Sequence, residues 1–525
     1  MKSAYVNGRF YTVDSQRPWA EAVLVQDGTF TAIGTTEQIL TAAGTAAEIV
    51  DLGGRMVMPG IHDAHTHLLF SGLKHRFQGR IDPTGTVQQM LDSLAACSCH
   101  GPARDGQPSW IIAGEYAPDF FGHTPDRAHL DTRFPDQPVF LYDYTIHHGL
   151  ANTKALELAG LTDTTADPNH GRYVRREQTG ELTGEMVEQA RWPVLRAIPD
   201  YTDDIYRQAL EWAVATCHRF GITSVQEASA SPQELRVLTA MDGTGTLDLN
   251  IAAHLVWREE GFGGASRAEL DELIDRHDSV ASPHVDTRFV KIWLDGAPLP
   301  PHMTQADLTA DGDIDSTHLL VPSDELREAI TRFDRDGLTV KIHCAGEGSV
   351  RAALDAYESV RAENPTSTTQ HEIAHCTYIH KDDLERFREL NVVAEMSPAI
   401  WHIPEYGLDQ GFKFASVHKA DATMTVGSDW IITPDPNLFP AVQGMLDRGD
   451  ESISIETAIE ALTRIGARAV GREHLQGSIE VGKRADFIVL DRNLLEIDLH
   501  EIHATQVVST VFEGRTAYIS DDAAL

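Results

Sequence analysis

A chain of 525 residues with 79 acidic and 43 basic side chains carries a formal net charge of −36, which sets it against nucleic acid as a partner and reads as a dispersed, solvated acidic surface of the kind suited to salt. No run of about 18 apolar residues occurs, and the opening MKSAYVNGRFYTVD lacks a cationic start followed by an apolar stretch, so a cytoplasmic protein with no membrane as partner is expected. Five irregularly spaced cysteines argue against a disulfide framework and fit a reducing compartment, and Cys97-x-Cys99-His100, lacking a second half, is a weak zinc motif.

Residues 1–55 read as short strands and turns, as in AYVNGRFYTVD and EAVLVQDGTFTAIG. A strand follows at MVMPGIHDAHTH near residue 60, and a second at PVFLYDY near residue 140. Gly and Pro punctuate this stretch without clear periodicity, which reads as a long insertion at about 71–200, the kind of loop that carries substrate contacts. After Thr202 a helix places Ile205, Ala209, Ala213 and Cys217 on one face and ends at Gly221. Two later helices open with capping-box patterns, Ser231 with Glu234 around Pro232, and Ser266 with Glu269. Strands at ITSVQE, RFVKIWLDG, LTVKIHCAG, HEIAHC, VVAEMSP and MTVGSDW alternate with amphipathic segments and bring the count to eight. The fold expected is therefore α/β, a (β/α)8 TIM-like barrel over residues 57–474. The last 50 residues again read as strands, so residues 475–525 are expected to pair with residues 1–56 into a small composite β-sandwich domain.

The chemistry lies at the C-terminal ends of the predicted barrel strands. His65-x-His67 follows the first, Glu227 ends the third, Lys291 lies in the fourth, His343 in the fifth, His375 in the sixth, and Asp429 ends the eighth. In a barrel these positions converge on one mouth. Two histidines at i and i+2 of an extended chain point to the same face, so His65 and His67 can reach one ion. Alone such a pair is commonplace; with histidines on two further strands and a final Asp it points to a divalent metal with an open position for water. Lys291, set among Phe289, Val290, Ile292 and Trp293, reads either as a snorkelling or ion-paired chain or as a desolvated amine able to form a carbamate with carbon dioxide. Asp429 is the candidate for proton transfer, with helix capping as the ordinary alternative. Trp401, His402, Trp430 and Trp110 could line a pocket or simply pack. His62 breaks the alternation of His65 and His67 and is left out of the ligand set.

Residues 58–67 (MPGIHDAHTH) resemble the metal-site opening of the amidohydrolase superfamily. The remaining motifs resemble its amidohydrolase-3, YtcJ-like branch, which includes N-substituted formamide deformylase: RFVKIWLDG with its lysine, KIHCAGEGSVRAALDA, HEIAHC, VGSDW, His147 ahead of Asn152-Thr153-Lys154-Ala155-Leu156, and Thr183-Gly184 with Glu188. The resemblance implies metal ligands His65, His67, His343, His375 and Asp429, with Lys291 as a bridging N6-carboxylysine, around one or two divalent ions, zinc first. Glu227, His147, Trp401, His402 and Trp430 are the substrate-binding candidates. Cys344, Glu347 and Tyr116 depart from the branch's usual residues and leave the substrate open.

These readings together imply hydrolysis of a C–N bond, of amide or formamide type, in a small apolar or aryl substrate by metal-activated water. His343 or His375 would help hold the developing oxyanion and Asp429 would move the proton. Ester or lactone hydrolysis, deamination or carbon–carbon cleavage on the same site, and a catalytically silent metal-binding regulator, are the alternatives. The expected partner is a small-molecule substrate, with a homodimer left open.

Overall fold

The structure, a computed structural model, describes residues 2–97, 99, 101–103, 106, 108–259, 262–397 and 408–521. Its centre is one sheet of eight parallel strands: β1 (Ile61–Thr66), β2 (Ile222–Ala230), β3 (Asn250–Val256), β4 (Val285–Trp293), β5 (Thr339–Cys344), β6 (His371–His375), β7 (Val392–Met396) and β8 (Thr423–Val426), each hydrogen-bonded to the next. The two edges meet, because the Asp429 amide donates to the His65 carbonyl at 2.8 Å and Thr66 bridges Trp430. This is the (β/α)8 barrel expected from the alternation of strands and amphipathic helices. Its strands are buried on both faces, which is why they read as nearly continuous apolar runs.

One strand differs from the sequence reading. PVFLYDY is not in the barrel; Val139–Asp143 belongs to a separate six-stranded sheet built wholly from the insertion, residues 79–188. That sheet is covered on both sides, by Leu141 and Leu150 with Met90 and Leu94 on one face and by Phe140 and Met186 with Leu156 on the other, so its strand carries the same apolar signature as a barrel strand. The barrel position falls to NIAAHLV, whose buried Asn250 and His254 interrupt the apolar run and hid it. Glu227 therefore lies in the second barrel strand, while the strand numbers of the later candidates stand.

The helix Asp203–Arg219 starts at the Thr202 cap and buries Tyr206, Ala209, Leu210, Ala213 and Cys217, with Ile205 at the edge of that face. It ends where Gly221 takes φ +79°, a left-handed conformation that glycine adopts without a Cβ penalty. Ser266 and Glu269 form the reciprocal capping box. Ser231 caps its helix, but Glu234 does not return to it and turns into the barrel instead.

Both chain ends form sheets outside the barrel. Lys2–Val6, Ala22–Gln26, Thr29–Gly34 and Glu48–Asp51 make four strands. A mixed sheet joins Arg9–Tyr11, Trp19–Ala20 and Met56–Pro59 to Phe487–Leu490, Val507–Phe512 and Arg515–Ile519. Phe10, Phe30, Val57, Phe487 and Val511 form their shared core. Cys97 and Cys99 are joined by a disulfide whose loop is too short to staple the fold, and Cys217, Cys344 and Cys376 are buried thiols. Among the described residues no helix is long and apolar enough to cross a membrane.

His284 ties the barrel to the C-terminal strands. Its Nδ1 lies 2.7 Å from Asp242 Oδ1 and its Nε2 3.2 Å from Glu513 Oε1, beside Arg484. The hydrogen bond to Glu513, reinforced by the one to Asp242, raises its pKa above the ordinary 6.5 despite burial. A raised folded-state pKa stabilises the fold fully below the unfolded value and less as pH climbs through the folded one. His284→Leu is therefore expected to lower the denaturation midpoint most below about pH 6.5, with the gap to wild type narrowing at alkaline pH. Unfolding curves on both sides of neutrality check this, and a gap that widens with pH contradicts it.

Candidate metal centre

His65 and His67 leave β1 on the same side, and Asp429 leaves β8 beside them. One ligand atom from each lies within 4.8 Å of the others, with Asp429 Oδ1 at 3.5 Å from His67 Nε2 and 3.8 Å from His65 Nε2. Both imidazoles are aimed by their other nitrogen. His65 Nδ1 is 2.7 Å from Glu395 Oε2 on β7, and His67 Nδ1 is 2.8 Å from Ser229 Oγ on β2. This leaves each Nε2 facing Asp429, the arrangement in which an outer carboxylate or hydroxyl fixes a ligating tautomer.

His375 at the end of β6 joins the cluster, its Nδ1 3.9 Å from Asp429 Oδ2 and 3.1 Å from Ser397 Oγ. His343 at the end of β5 packs against His375 with ring centroids 4.4 Å apart, and both its nitrogens are buried without a hydrogen-bond partner among the described residues. Buried polar atoms are ordinarily satisfied, so an orphaned imidazole beside this cluster marks a place for a ligand. Lys291 from β4 lines the same cavity, its Nζ 5.6 Å from the Trp293 ring centre.

The protonation states suit a cation. Burial, then the nearby Lys291, holds His65 well below its ordinary value, and burial holds His375 down to about 4, so these imidazoles stay neutral. Burial by itself would raise Asp429, but its hydrogen bond with His67 and the neighbouring His65 and His375 outweigh that and hold it far below the usual carboxylate range. Burial, with Lys341 nearby, pulls Lys291 down to about 8. Neutral imidazoles and an ionised carboxylate are the donor forms a divalent ion requires.

Of the substrate-binding candidates, His147 lines the cavity. Glu227 lies behind His67, accepting the amides of Leu68 at 2.6 Å and Ser229 at 3.1 Å. It forms a buried pair with Glu234, in which burial raises both carboxyls and repulsion from Glu227 lifts Glu234 further. Trp430 is fully buried against Trp212 and His75, and Trp110 sits in the core of the insertion, so neither reaches the cavity. Trp401 and His402 lie outside the described residues. His62 is turned away into the barrel, bonded to Ser224 and Gln226.

Several contributors escape sequence reasoning. Glu395 is a single acidic residue in an otherwise apolar buried strand, a signal that was present in VVAEM. Asp295, within RFVKIWLDG, accepts the amides of Ala306, Ala345 and Gly346 and the Ser349 hydroxyl, and so pins the loop after His343. Phe70, Trp192, Phe262 and Trp293 form a connected group of rings along one wall, with centroids 5.7 to 6.3 Å apart. The cavity they help enclose measures about 300 Å³ and is mostly apolar.

If Glu395 aims His65, its loss should be felt in metal affinity before stability. Glu395→Gln is expected to weaken divalent-metal binding by about 10- to 100-fold, as removal of an outer-shell partner does, with the fold retained. Competition with a chelator checks this; unchanged affinity would remove Glu395 from the site.

The sequence profile of the amidohydrolase family matches residues 48–518. The chain is 27% identical to Protein LONG AFTER FAR-RED 3 of Arabidopsis thaliana, over 98% of this chain and 91% of that one. It is 26% identical to an N-substituted formamide deformylase of Arthrobacter pascens, over 98% of this chain and 97% of that one. An uncharacterized metal-dependent hydrolase from Pyrococcus horikoshii shares the fold, with a TM-score of 0.75 at 23% identity, covering 96% of this chain and all of that one.

Proposed function

Because the chain belongs to the amidohydrolase family, we propose that it is a metal-dependent hydrolase cleaving the C–N bond of an amide or formamide on a small apolar or aryl substrate. The observation that carries this is the His65–His67–Asp429 cluster opening into a mostly apolar cavity. A divalent ion held there, zinc first, would supply Lewis acidity toward a carbonyl and toward water.

The chain's own residues then divide the work. His65, His67 and Asp429 would hold one ion, with His343 and His375 completing the set or receiving a second. Asp429, oriented by three imidazoles, takes the proton of the attacking water and returns it to the leaving nitrogen. The substrate's apolar part rests on Phe70, Phe262 and Trp293, and a planar ring gains more there than an alkyl chain of equal area. Lys291, desolvated within the same cavity, would add carbon dioxide with loss of a proton to give a carbamate whose oxygens could serve as further metal ligands. N-Substituted formamide deformylase is a relative along nearly the whole chain, which favours the formamide end of this class.

Assay of the zinc-loaded protein on formamides, N-acyl amines and aryl esters tests the reading. Turnover of an N-aryl or N-arylmethyl formamide is expected, and activity confined to esters would overturn the C–N assignment. Asp429→Asn is expected to cut kcat by at least about 10²-fold while some zinc is retained, the scale on which positioned proton transfer contributes. An unchanged rate would remove Asp429 from that role. Lys291 is expected to show an added 44 Da of carbon dioxide in native mass spectra from bicarbonate buffer, lost in Lys291→Ala.

A further inference from the structure

The insertion carries a second carboxylate–imidazole pair that faces the barrel site. His147 lines the cavity and stacks on His343, with ring centroids 5.4 Å apart and an interplanar angle of 28°. Its Nδ1 lies 3.1 Å from each oxygen of Glu188, which also receives the Thr304 hydroxyl at 2.6 Å. With Nδ1 committed to Glu188, Nε2 is the ring nitrogen left for a molecule in the cavity.

The pair is built with care. Glu188 and Ile146 both adopt left-handed backbone conformations, φ +50° and +66°, which cost side-chain-bearing residues energy and persist where the surroundings hold them. Ile146 immediately precedes His147, and Glu188 is the carboxylate itself. Gly296 passes so close to Glu188 and Thr304 that a Cβ there would overlap both side chains. Burial alone would raise Glu188, yet His147 beside it draws its pKa far below the usual range. Buried carboxylates held this way orient an imidazole, as Glu395 does for His65 on the opposite side of the same site.

We propose that Glu188 and His147 form a substrate-positioning pair supplied by the insertion: His147 Nε2 hydrogen-bonds the polar group of the substrate seated against His343, and Glu188 with Thr304 fixes the imidazole. This rests on the cavity being a metal-dependent substrate site, not on which bond is cleaved there. The barrel alone then holds the ion, and the insertion sets the substrate's orientation. His147 touches substrate; Glu188 and Thr304 are positioning residues acting through it.

The test is calorimetric binding of acetohydroxamate, a small carbonyl mimic with both donor and acceptor atoms, to the full zinc-loaded chain, with zinc content measured for each variant. His147→Phe keeps the stack on His343 and removes the hydrogen bond; it is expected to weaken binding by about tenfold or more with zinc content unchanged. Glu188→Gln is expected to weaken it by a smaller factor, and Thr304→Val, the mildest change, by less again. Equal affinity in wild type and His147→Phe overturns the proposal, and so does loss of zinc in His147→Phe, which would make His147 a ligand. Failure of wild type itself to bind acetohydroxamate while holding zinc overturns the substrate-site reading beneath both proposals.

Discussion

The site depends on how the last strand closes against the first. Asp63 on β1 accepts both the amide and the hydroxyl of Ser428, and the Asp429 amide donates to the His65 carbonyl. Gly427 makes the approach possible, because a Cβ there would overlap the backbone and side chain of His65. These contacts fix Asp429 against His65 and His67 without using any of the atoms offered to a metal. Burial raises Asp63 to about 7 against the pull of its hydrogen bonds, so closure consumes a carboxyl whose desolvation must be offset by the Ser428 contacts. The hydrogen bonds that close the barrel therefore also bring Asp429 against His65 and His67.

Much of this was legible in the sequence because it obeys short periods. His65 and His67 both reach Asp429 even though the register of β1 against β2 shifts between Asp63 and Thr66. Lys291, His343 and His375 stood out as polar interruptions of apolar strands, and their strand assignments held. Glu395 gives the same signal but an ambiguous one, since a carboxylate in a strand reads as an edge residue until its partner is known. The misplaced second strand has a related cause. An insertion sheet covered on both faces imitates a barrel strand, while β3, with Asn250 and His254 pointing into polar company, imitates a loop.

Long-range partners are where sequence patterns fail. Glu234 matches a capping box with Ser231, and the cap half of that match is real. Its carboxyl is claimed instead by the Leu69 amide and by Glu227, far away in the chain and adjacent in space. The same holds for the aromatic wall, whose rings come from the helix after β1, the insertion, the loop after β3 and the end of β4. No local periodicity registers four rings contributed by four segments.

The division of labour between barrel and insertion follows from solvation. A bare cluster of three imidazoles and a carboxylate at a barrel mouth would be open to water, and each electrostatic contact in it would be weakened accordingly. The insertion roofs that mouth with Ile112, Tyr142 and Ile146 and leaves a mostly apolar cavity. Removing water strengthens every polar contact inside and also makes each unpaired polar atom costly. Pairing offsets that cost for several of the charges around the cavity, Glu395 with His65, Glu188 with His147, and Lys74 with Glu115. Against this background His343 stands out, because both its ring nitrogens lack a hydrogen-bond partner among the described residues and its ring packs against both His375 and His147.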